Sequence, residues 1–279
     1  MLSADRQQVL SKIEELEING QFDLDAEIDP PGRVIMPGEV DYLRKKFSSK
    51  IKSHYAYFMA RRFLNKLLKS KQLMVEKING LDNFKNLTTG AIITCNHFSP
   101  LDSFATQVVY EASLKKGKFY RVIREGNYTS FPGFYGMIMR HCNTLPLSSN
   151  KDTMKEFLVA VDTLLRQGNY VLVYPEQSLW WNYRKPKPLK KSAFKIAAVA
   201  NVPVLPIFIT MKDSNIIASD GSFVQKYTIN IGKPIYADSH QNPSENAIKM
   251  LKQNEIFMKE TYERFYQQPL IYSTKSDQE

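Results

Sequence analysis

Residues 90–102 read Gly90-Ala-Ile-Ile-Thr-Cys95-Asn96-His97-Phe98-Ser99-Pro100-Leu101-Asp102. The first half is a short apolar, β-branched run that follows a turn at Leu87-Thr88-Thr89, which predicts a buried strand over 91–95. The second half changes period: Ser99 suits an N-cap, Pro100 the first helical position and Asp102 the third, opening a helix over 100–114. A strand that hands over directly to a helix is the unit of an α/β fold. Outward from it the alternation continues. A strand is expected at 119–124, a short Gly- and Met-rich segment from Pro132-Gly133, and a strand at Tyr170–Tyr174. The clearest helix is 151–167, where Met154, Phe157, Leu158, Val161, Leu164 and Leu165 repeat at helical spacing and Gly168 supplies the stop. A helix at 192–200 precedes a strand at 202–209, whose Pro203 and Pro206 suggest an edge or a bulge. A strand at 225–235 and a helix capped by Asn242-Pro243, with Ile248, Leu251, Met258, Tyr262 and Phe265 on one stripe, complete the pattern. The fold class is α/β: a mixed β-sheet flanked by helices.

The 279 residues are 43% hydrophobic, enough for a real core, so a wholly disordered chain is excluded. Two cysteines, Cys95 and Cys142, make no disulfide scaffold. Residues 1–17 hold charges instead of an apolar core, so no secretory signal is expected there. The most apolar run, 193–210, is broken by Lys195, Asn201, Pro203 and Pro206, which argues against a spanning helix. Lysine and arginine number 38 against 28 acids, a net +10 that is unevenly spread. Residues 1–40 are acidic, and with Pro30-Pro31-Gly32 they read as an extended arm. Residues 41–74 begin with ten bases against Asp41 up to Lys71. Within them Leu43, Phe47, Ile51, Tyr55 and Phe58 recur at steps of four and three, and Leu64, Leu67, Leu68 and Met74 continue the stripe. That pattern is a basic amphipathic helical segment, suited either to a membrane interface with anionic lipid or to packing on the domain with its bases solvated. No nucleic-acid-binding signature accompanies it.

His97 and Asp102 admit a chemical reading beside a plain one. The plain reading makes Asp102 a helix-cap carboxylate and His97 a strand-end histidine. In the chemical reading, the turn folds the carboxylate onto one imidazole nitrogen, which fixes the tautomer and raises the basicity of the other. Such a pair is a general base for a hydroxyl. The four histidines are scattered and no His/Cys cluster has ligand spacing, so no metal is expected. Cys95, two residues before His97, is either a buried core thiol or one half of a Cys–His nucleophile.

Asn96-His97-x4-Asp102 resembles the first motif of the glycerolipid acyltransferases, the 1-acylglycerol-3-phosphate acyltransferase family. Tyr174-Pro175-Glu176-Gln177-Ser178 resembles that family's phosphate-site motif, usually Phe-Pro-Glu-Gly-Thr-Arg. Lys190-Lys191-Ser192-Ala193-Phe194 and Val202–Ile207 resemble its later blocks, and Arg124, Pro132-Gly133 and Arg140 lie where it binds the acceptor. The likeness covers about 75–235. Two departures stand out. Gln177-Ser178-Leu179 replaces Gly-Thr-Arg, and Thr144–Ser149 lacks the arginine that usually ends the intermediate motif. The basic stretch Arg184–Lys191 reads either as the replacement for those cations or as a solvated basic loop, and Trp180-Trp181 follows the block as an interfacial, acyl-groove or core element.

The resemblance implies an O-acyltransferase that moves a fatty acyl group from an acyl thioester (acyl-CoA or acyl carrier protein) to the hydroxyl of lysophosphatidate, making phosphatidate. Glycerol-3-phosphate or another lysophospholipid is the alternative acceptor, and a non-enzymatic binder of anionic membranes is the more distant one. The expected catalytic residues are His97 and Asp102; the expected acceptor-binding residues are Arg124, Arg140, Glu176, Gln177, Ser178, Arg184, Lys190 and Lys191. No cofactor or metal is implied. The chain is then divided into an acidic extended arm (1–40), a basic amphipathic membrane-association segment (41–74), an acyltransferase domain (75–270) and a flexible tail (271–279). The expected location is the cytoplasmic side of the cell membrane, peripheral or monotopic.

Overall fold

The structure is a computed structural model that describes residues 2–27 and 32–274. In chain order its elements are α1 (Ala4–Ile18), α2 (Phe47–Lys69), β1 (Met74–Asn79), α3 (Leu81–Lys85), β2 (Ala91–Thr94), α4 (Asp102–Ser113), β3 (Phe119–Ile123) and α5 (Glu125–Thr129). There follow α6 (Gly133–His141), β4 (Thr144–Pro146), α7 (Lys151–Arg166), β5 (Tyr170–Val173), α8 (Ser192–Ala200), β6 (Val204–Ile217), β7 (Phe223–Ile231) and α9 (Pro243–Tyr266). The strands form one seven-stranded sheet in the order β1-β7-β6-β2-β5-β3-β4. Every pair is parallel except β6 with β7.

The sheet is buried on both faces, and the period-2 alternation of the strands feeds two cores. Ile92, Val171, Val204 and Phe208 point to the layer of α7, α8 and α9, with Phe157, Phe194, Met250 and Met258. Ile93, Leu172, Leu205 and Ile209 point to the opposite layer, with Phe84, Phe98, Val109 and the C-terminal Leu64 and Leu67 of α2. Sequences buried on both faces read as continuous apolar runs, which is why β2 and β5 are legible without polar alternation. Caps bound the longer helices. Asn150 accepts from the N–H groups of Asp152 and Thr153 at the start of α7, and Asn242 with Glu245 forms a capping box on α9. Gly168, at φ +79°, lets the chain leave α7 and enter β5 in the left-handed conformation.

Several expectations are corrected. β6 is a central strand, not an edge: Pro206 pairs with Thr94 of β2, and its missing N–H falls where the ladder toward β7 is broken, between Ile231 and the isolated Val204–Ile235 bridge. Met74 belongs to β1, not to the helix before it. Ile248 of α9 is exposed, while Ala247 and Met250 take the buried face. The acidic arm is not extended. Its residues 4–18 form α1, which is tied to the β6–β7 turn by Ser3 N–H to the Asp220 carbonyl (2.8 Å) and by Arg6 to the Asp220 carboxylate (3.0 Å). Ile13 and Leu16 of α1 pack on the fully buried Trp180, an apolar gain that outweighs the local acidity. The portion of the arm at 28–31 lies outside the described residues. The start of the expected tail is packed as well: Tyr272 donates to the Pro186 carbonyl (2.7 Å) and Ser273 N–H to Glu17 (2.9 Å), while 275–279 lie outside the described residues.

α2 presents its stripe differently from a packed helix. Ala56, Ala60, Leu64 and Leu67 make the contacts with α6 and the core, whereas Phe47 (78% exposed), Ile51, Tyr55 and Phe58 face solvent beside Lys50, Arg61 and Arg62. Among the described residues no helix is long and apolar enough to cross a membrane.

Candidate active site

β2 ends at Thr94, and the next residue with a structural task is Asn96. Its side-chain amide donates to the Ile209 carbonyl (3.0 Å) and accepts from the Ile209 N–H (2.8 Å), so it continues the β2–β6 pairing like a backbone amide. This pins the loop that presents His97 at the end of the strand. α4 begins at Asp102, two residues later than Ser99-Pro100 suggests; Ser99 instead turns its hydroxyl to accept from the Leu101 N–H (3.1 Å). The late start lets the Asp102 carboxylate fold back over the loop. Its Oδ2 lies 2.7 Å from His97 Nδ1 and accepts from the N–H groups of Phe98 (3.2 Å) and Ser99 (3.3 Å). Oδ1 accepts from the Tyr174 hydroxyl at 2.6 Å. Asp102 is 1% exposed, and donors surround both of its oxygens, which is how a buried carboxylate is compensated for the water it has lost.

The imidazole is therefore held by Asp102 on Nδ1, and its ring stacks on Tyr174 with centroids 4.1 Å apart. The quarter-exposed side chain makes no hydrogen bond through Nε2 among the described residues, leaving that nitrogen for an incoming hydroxyl. Tyr174 stands where the related motif usually has phenylalanine. Its ring keeps the stacking role and its hydroxyl adds the clamp on Asp102, a role that the sequence signals only through that substitution.

Glu176 and Ser178 are expected as acceptor ligands, but the structure buries both, at 2% and 0% exposure. Glu176 accepts from the backbone N–H of His97 (3.0 Å) and of Lys187 (3.0 Å), and the Lys187 ammonium lies 3.6 Å away. Burial raises the Glu176 carboxyl above its ordinary range, with Lys187 opposing the rise. Burial likewise pulls the Lys187 ammonium down, to about 8, against the attraction of Glu176. Lys187 donates to the Ser178 carbonyl (2.7 Å) and hydroxyl (2.6 Å). Glu176, Ser178 and Lys187 thus brace the loop beneath His97. In the sequence Lys187 is only one base of the 184–191 run, because nothing in that run says which lysine turns inward.

Gln177, exposed, adopts φ +65°, the left-handed conformation that glycine takes at little cost in the related motif. Arg124, the residue before α5, reaches this turn: it donates to the Gln177 carbonyl and pairs with the Asp25 carboxylate, one of whose contacts is 3.1 Å. The other expected cations are elsewhere or already paired. Arg140 donates to the Phe131 (3.0 Å) and Tyr128 (3.4 Å) carbonyls and buttresses the α5–α6 loop. Arg184 pairs with Asp213 (2.7 Å), Lys191 reaches Ser244 (3.4 Å) on α9, and Lys190 pairs with Asp23 (3.0 Å). Trp180 is core, its indole N–H donating to the Leu24 carbonyl (2.7 Å), and Trp181 lies beneath the Arg6 guanidinium at 4.4 Å. Cys95 is fully buried, and that burial, with Asp102 and Glu176 nearby, pushes its thiol far above the ordinary value. A thiolate nucleophile at Cys95 is therefore disfavoured.

The chain's fold is shared. The crystal structure of the 1-acyl-sn-glycerophosphate (LPA) acyltransferase PlsC from Thermotoga maritima superposes with a TM-score of 0.53 at 20% identity, over 82% of this chain and 87% of that one. No curated protein matches the chain in sequence. The Acyltransferase family model matches residues 75–210, the stretch that holds both His97-Asp102 and Tyr174–Ser178.

Proposed function

We propose that the chain transfers a fatty acyl group from an acyl thioester to the free hydroxyl of a lysolipid, with lysophosphatidate as the acceptor and phosphatidate as the product. The observation that carries the reading is the 2.7 Å contact of His97 Nδ1 with an Asp102 carboxylate whose other oxygen is held by the Tyr174 hydroxyl. His97 Nε2 takes the proton of the acceptor hydroxyl as its oxygen attacks the thioester carbonyl. Asp102 holds the ring and stabilises the imidazolium. The tetrahedral intermediate collapses with loss of the thiolate, the C–S bond breaks, and the imidazolium returns its proton to sulfur. The products are an ester and a free thiol, the latter coenzyme A or an acyl carrier protein. No covalent enzyme intermediate is needed.

The lipid acceptor requires contact with a membrane, and the exposed Phe47-Ile51-Tyr55-Phe58 face of α2, flanked by bases, supports peripheral binding to an anionic surface, on the cytoplasmic side. A second acceptor class, a lysophospholipid with a phosphodiester head, is favoured by one observation: Arg124 and Lys190 already hold carboxylates.

The test is turnover of purified protein with a labelled acyl thioester and a panel of lysophosphatidate, glycerol 3-phosphate and lysophosphatidylcholine. His97→Ala is expected to abolish product. Vesicle binding without any His97-dependent product would replace the enzyme with a non-catalytic membrane binder.

A further inference from the structure

Residues 22–25 run across the outer side of the 178–180 segment. Ser178 donates to the Phe22 carbonyl (2.6 Å), the Trp180 indole to the Leu24 carbonyl (2.7 Å), and Leu179 N–H to Asp25 Oδ1 (2.9 Å). The Phe22 ring stacks on Trp180 with centroids 5.5 Å apart. On its inner side the same segment is tied to the catalytic loop, by Trp180 N–H to the His97 carbonyl (3.3 Å) and Asn182 N–H to the Phe98 carbonyl (2.9 Å). The strap is thus a fixed wall of the site, one layer from His97. It is anchored on a buried tryptophan and does not hang as a loose lid.

Its two carboxylates fall on two cations of the expected acceptor-head region. Asp25 engages both terminal nitrogens of Arg124, in the two-pronged manner by which a guanidinium holds a phosphate. Asp23 holds Lys190 at 3.0 Å, and inward of them Lys187 is matched by Glu176. Arg124, Lys190 and Lys187 thus each meet a carboxylate of the same chain, so an acceptor phosphate that turns to any of them finds its charge already opposed.

Resting on the acyl-transfer reading above, we propose that Asp25 is a specificity-determining residue of the acceptor site. Its carboxylate competes with an acceptor phosphate for Arg124 and thereby sets how much negative charge the acceptor head can carry. Lysophosphatidate, with a dianionic monoester, must displace Asp25 from the guanidinium. A phosphodiester head, with a single charge, loses less by leaving that pair in place. Discrimination by an opposing charge is a common way to separate ligands that share an attractive contact.

Asp25→Asn tests this in the full chain, because the amide oxygen still accepts from Leu179 N–H while the charge is lost. The ratio of kcat/KM for lysophosphatidate over lysophosphatidylcholine is expected to rise about tenfold, and glycerol 3-phosphate, titrated calorimetrically without thioester, is expected to bind about tenfold tighter. The double variant Asp25→Asn/Arg124→Ala must lose both gains, which a merely structural effect of the first substitution would not produce. An unchanged ratio and an unchanged glycerol 3-phosphate affinity overturn the proposal. If no acceptor is acylated in a His97-dependent way, the calorimetric arm still decides the role of Asp25, while the acyl-transfer reading falls separately.

Discussion

Asp102→Asn separates the charge of the His97–Asp102 pair from its geometry. In the native site one carboxylate oxygen serves three donors, His97 Nδ1, Phe98 N–H and Ser99 N–H, and the other serves the Tyr174 hydroxyl. Asparagine fits with its carbonyl oxygen toward the three donors. Its NH2 then faces the tyrosine oxygen, which can accept. The reversed orientation would point the NH2 at two N–H groups and is excluded. The tautomer and ring position of His97 are thus preserved, and only the counter-charge to the imidazolium disappears. For charges about 4 Å apart at an effective dielectric of about 20, that interaction amounts to about 4 kcal/mol. Spread over the barrier, it corresponds to a loss of about a thousandfold in kcat. Asp102→Ala would be a poorer probe, since it strands two N–H groups and a hydroxyl in a buried site, each costing about 1–3 kcal/mol of stability. The assay is single-turnover acyl transfer from a labelled thioester, with thermal unfolding run in parallel. If Asp102→Asn turns over within tenfold of the native protein while His97→Ala is inactive, the negative charge is not used and the argument from the 2.7 Å contact fails.

Tyr174→Phe retains the ring stacked on His97 but leaves one buried oxygen of Asp102 without a donor, so kcat is expected to fall about tenfold and the melting temperature to drop; unchanged values in both would deny the clamp. Lys187→Met probes the buried ammonium, whose proton leaves at about 8 in the folded chain and at about 10.4 in the unfolded one. The unfolded state then binds more protons between those values, so the cost of the buried charge is fully present below pH 8 and is relieved as the pH rises. Urea unfolding of the native protein should gain up to about 1.4 kcal/mol per pH unit relative to the variant across that window, and parallel curves would refute the assignment. Replacing Phe47, Ile51 and Phe58 together by serine should weaken binding to anionic liposomes about a hundredfold, from roughly 3 kcal/mol of lost apolar burial, with little change in thermal stability because these side chains face solvent. Equal liposome binding by the triple variant would move the membrane contact elsewhere.

Much of the architecture is written locally. α7 and α9 are legible because a capping asparagine, an apolar stripe of period 3.6 and a stop residue all lie within one helix length. β2 and β5 are legible as apolar runs because both their faces are covered. The strap is illegible for a physical reason. Residues 1–27 are rich in acid and poor in strong apolar periodicity, so they read as an arm. What folds them is the burial of Ile13, Leu16 and Phe22 against Trp180, a partner more than 150 residues away from Phe22. For α2 the periodicity identifies the helix but leaves open whether its bulky stripe packs or stays free. In the structure that stripe is the free face, and the small Ala56 and Ala60 are the ones that allow close approach to α6.

The sequence by itself determined the α/β class and the basic helical segment and offered the His97–Asp102 pair as one of two readings, because strand-to-helix alternation and the five-residue spacing of the carboxylate from the imidazole are short-range facts. Tertiary structure alone decided which groups surround that pair. The His97 N–H meets Glu176 across 79 residues, the Tyr174 hydroxyl meets Asp102 across 72, and Arg124 meets Asp25 across 99. Those meetings depend on the register in which β2, β5 and β3 lie side by side and on the docking of α1 beside them. No single segment carries that register, since it is set by the two apolar cores that clasp the sheet. The same packing that sets Arg124, Lys187 and Lys190 around the 175–179 turn also brings the carboxylates that oppose them. The local sequence could count those charges, but it could not pair them.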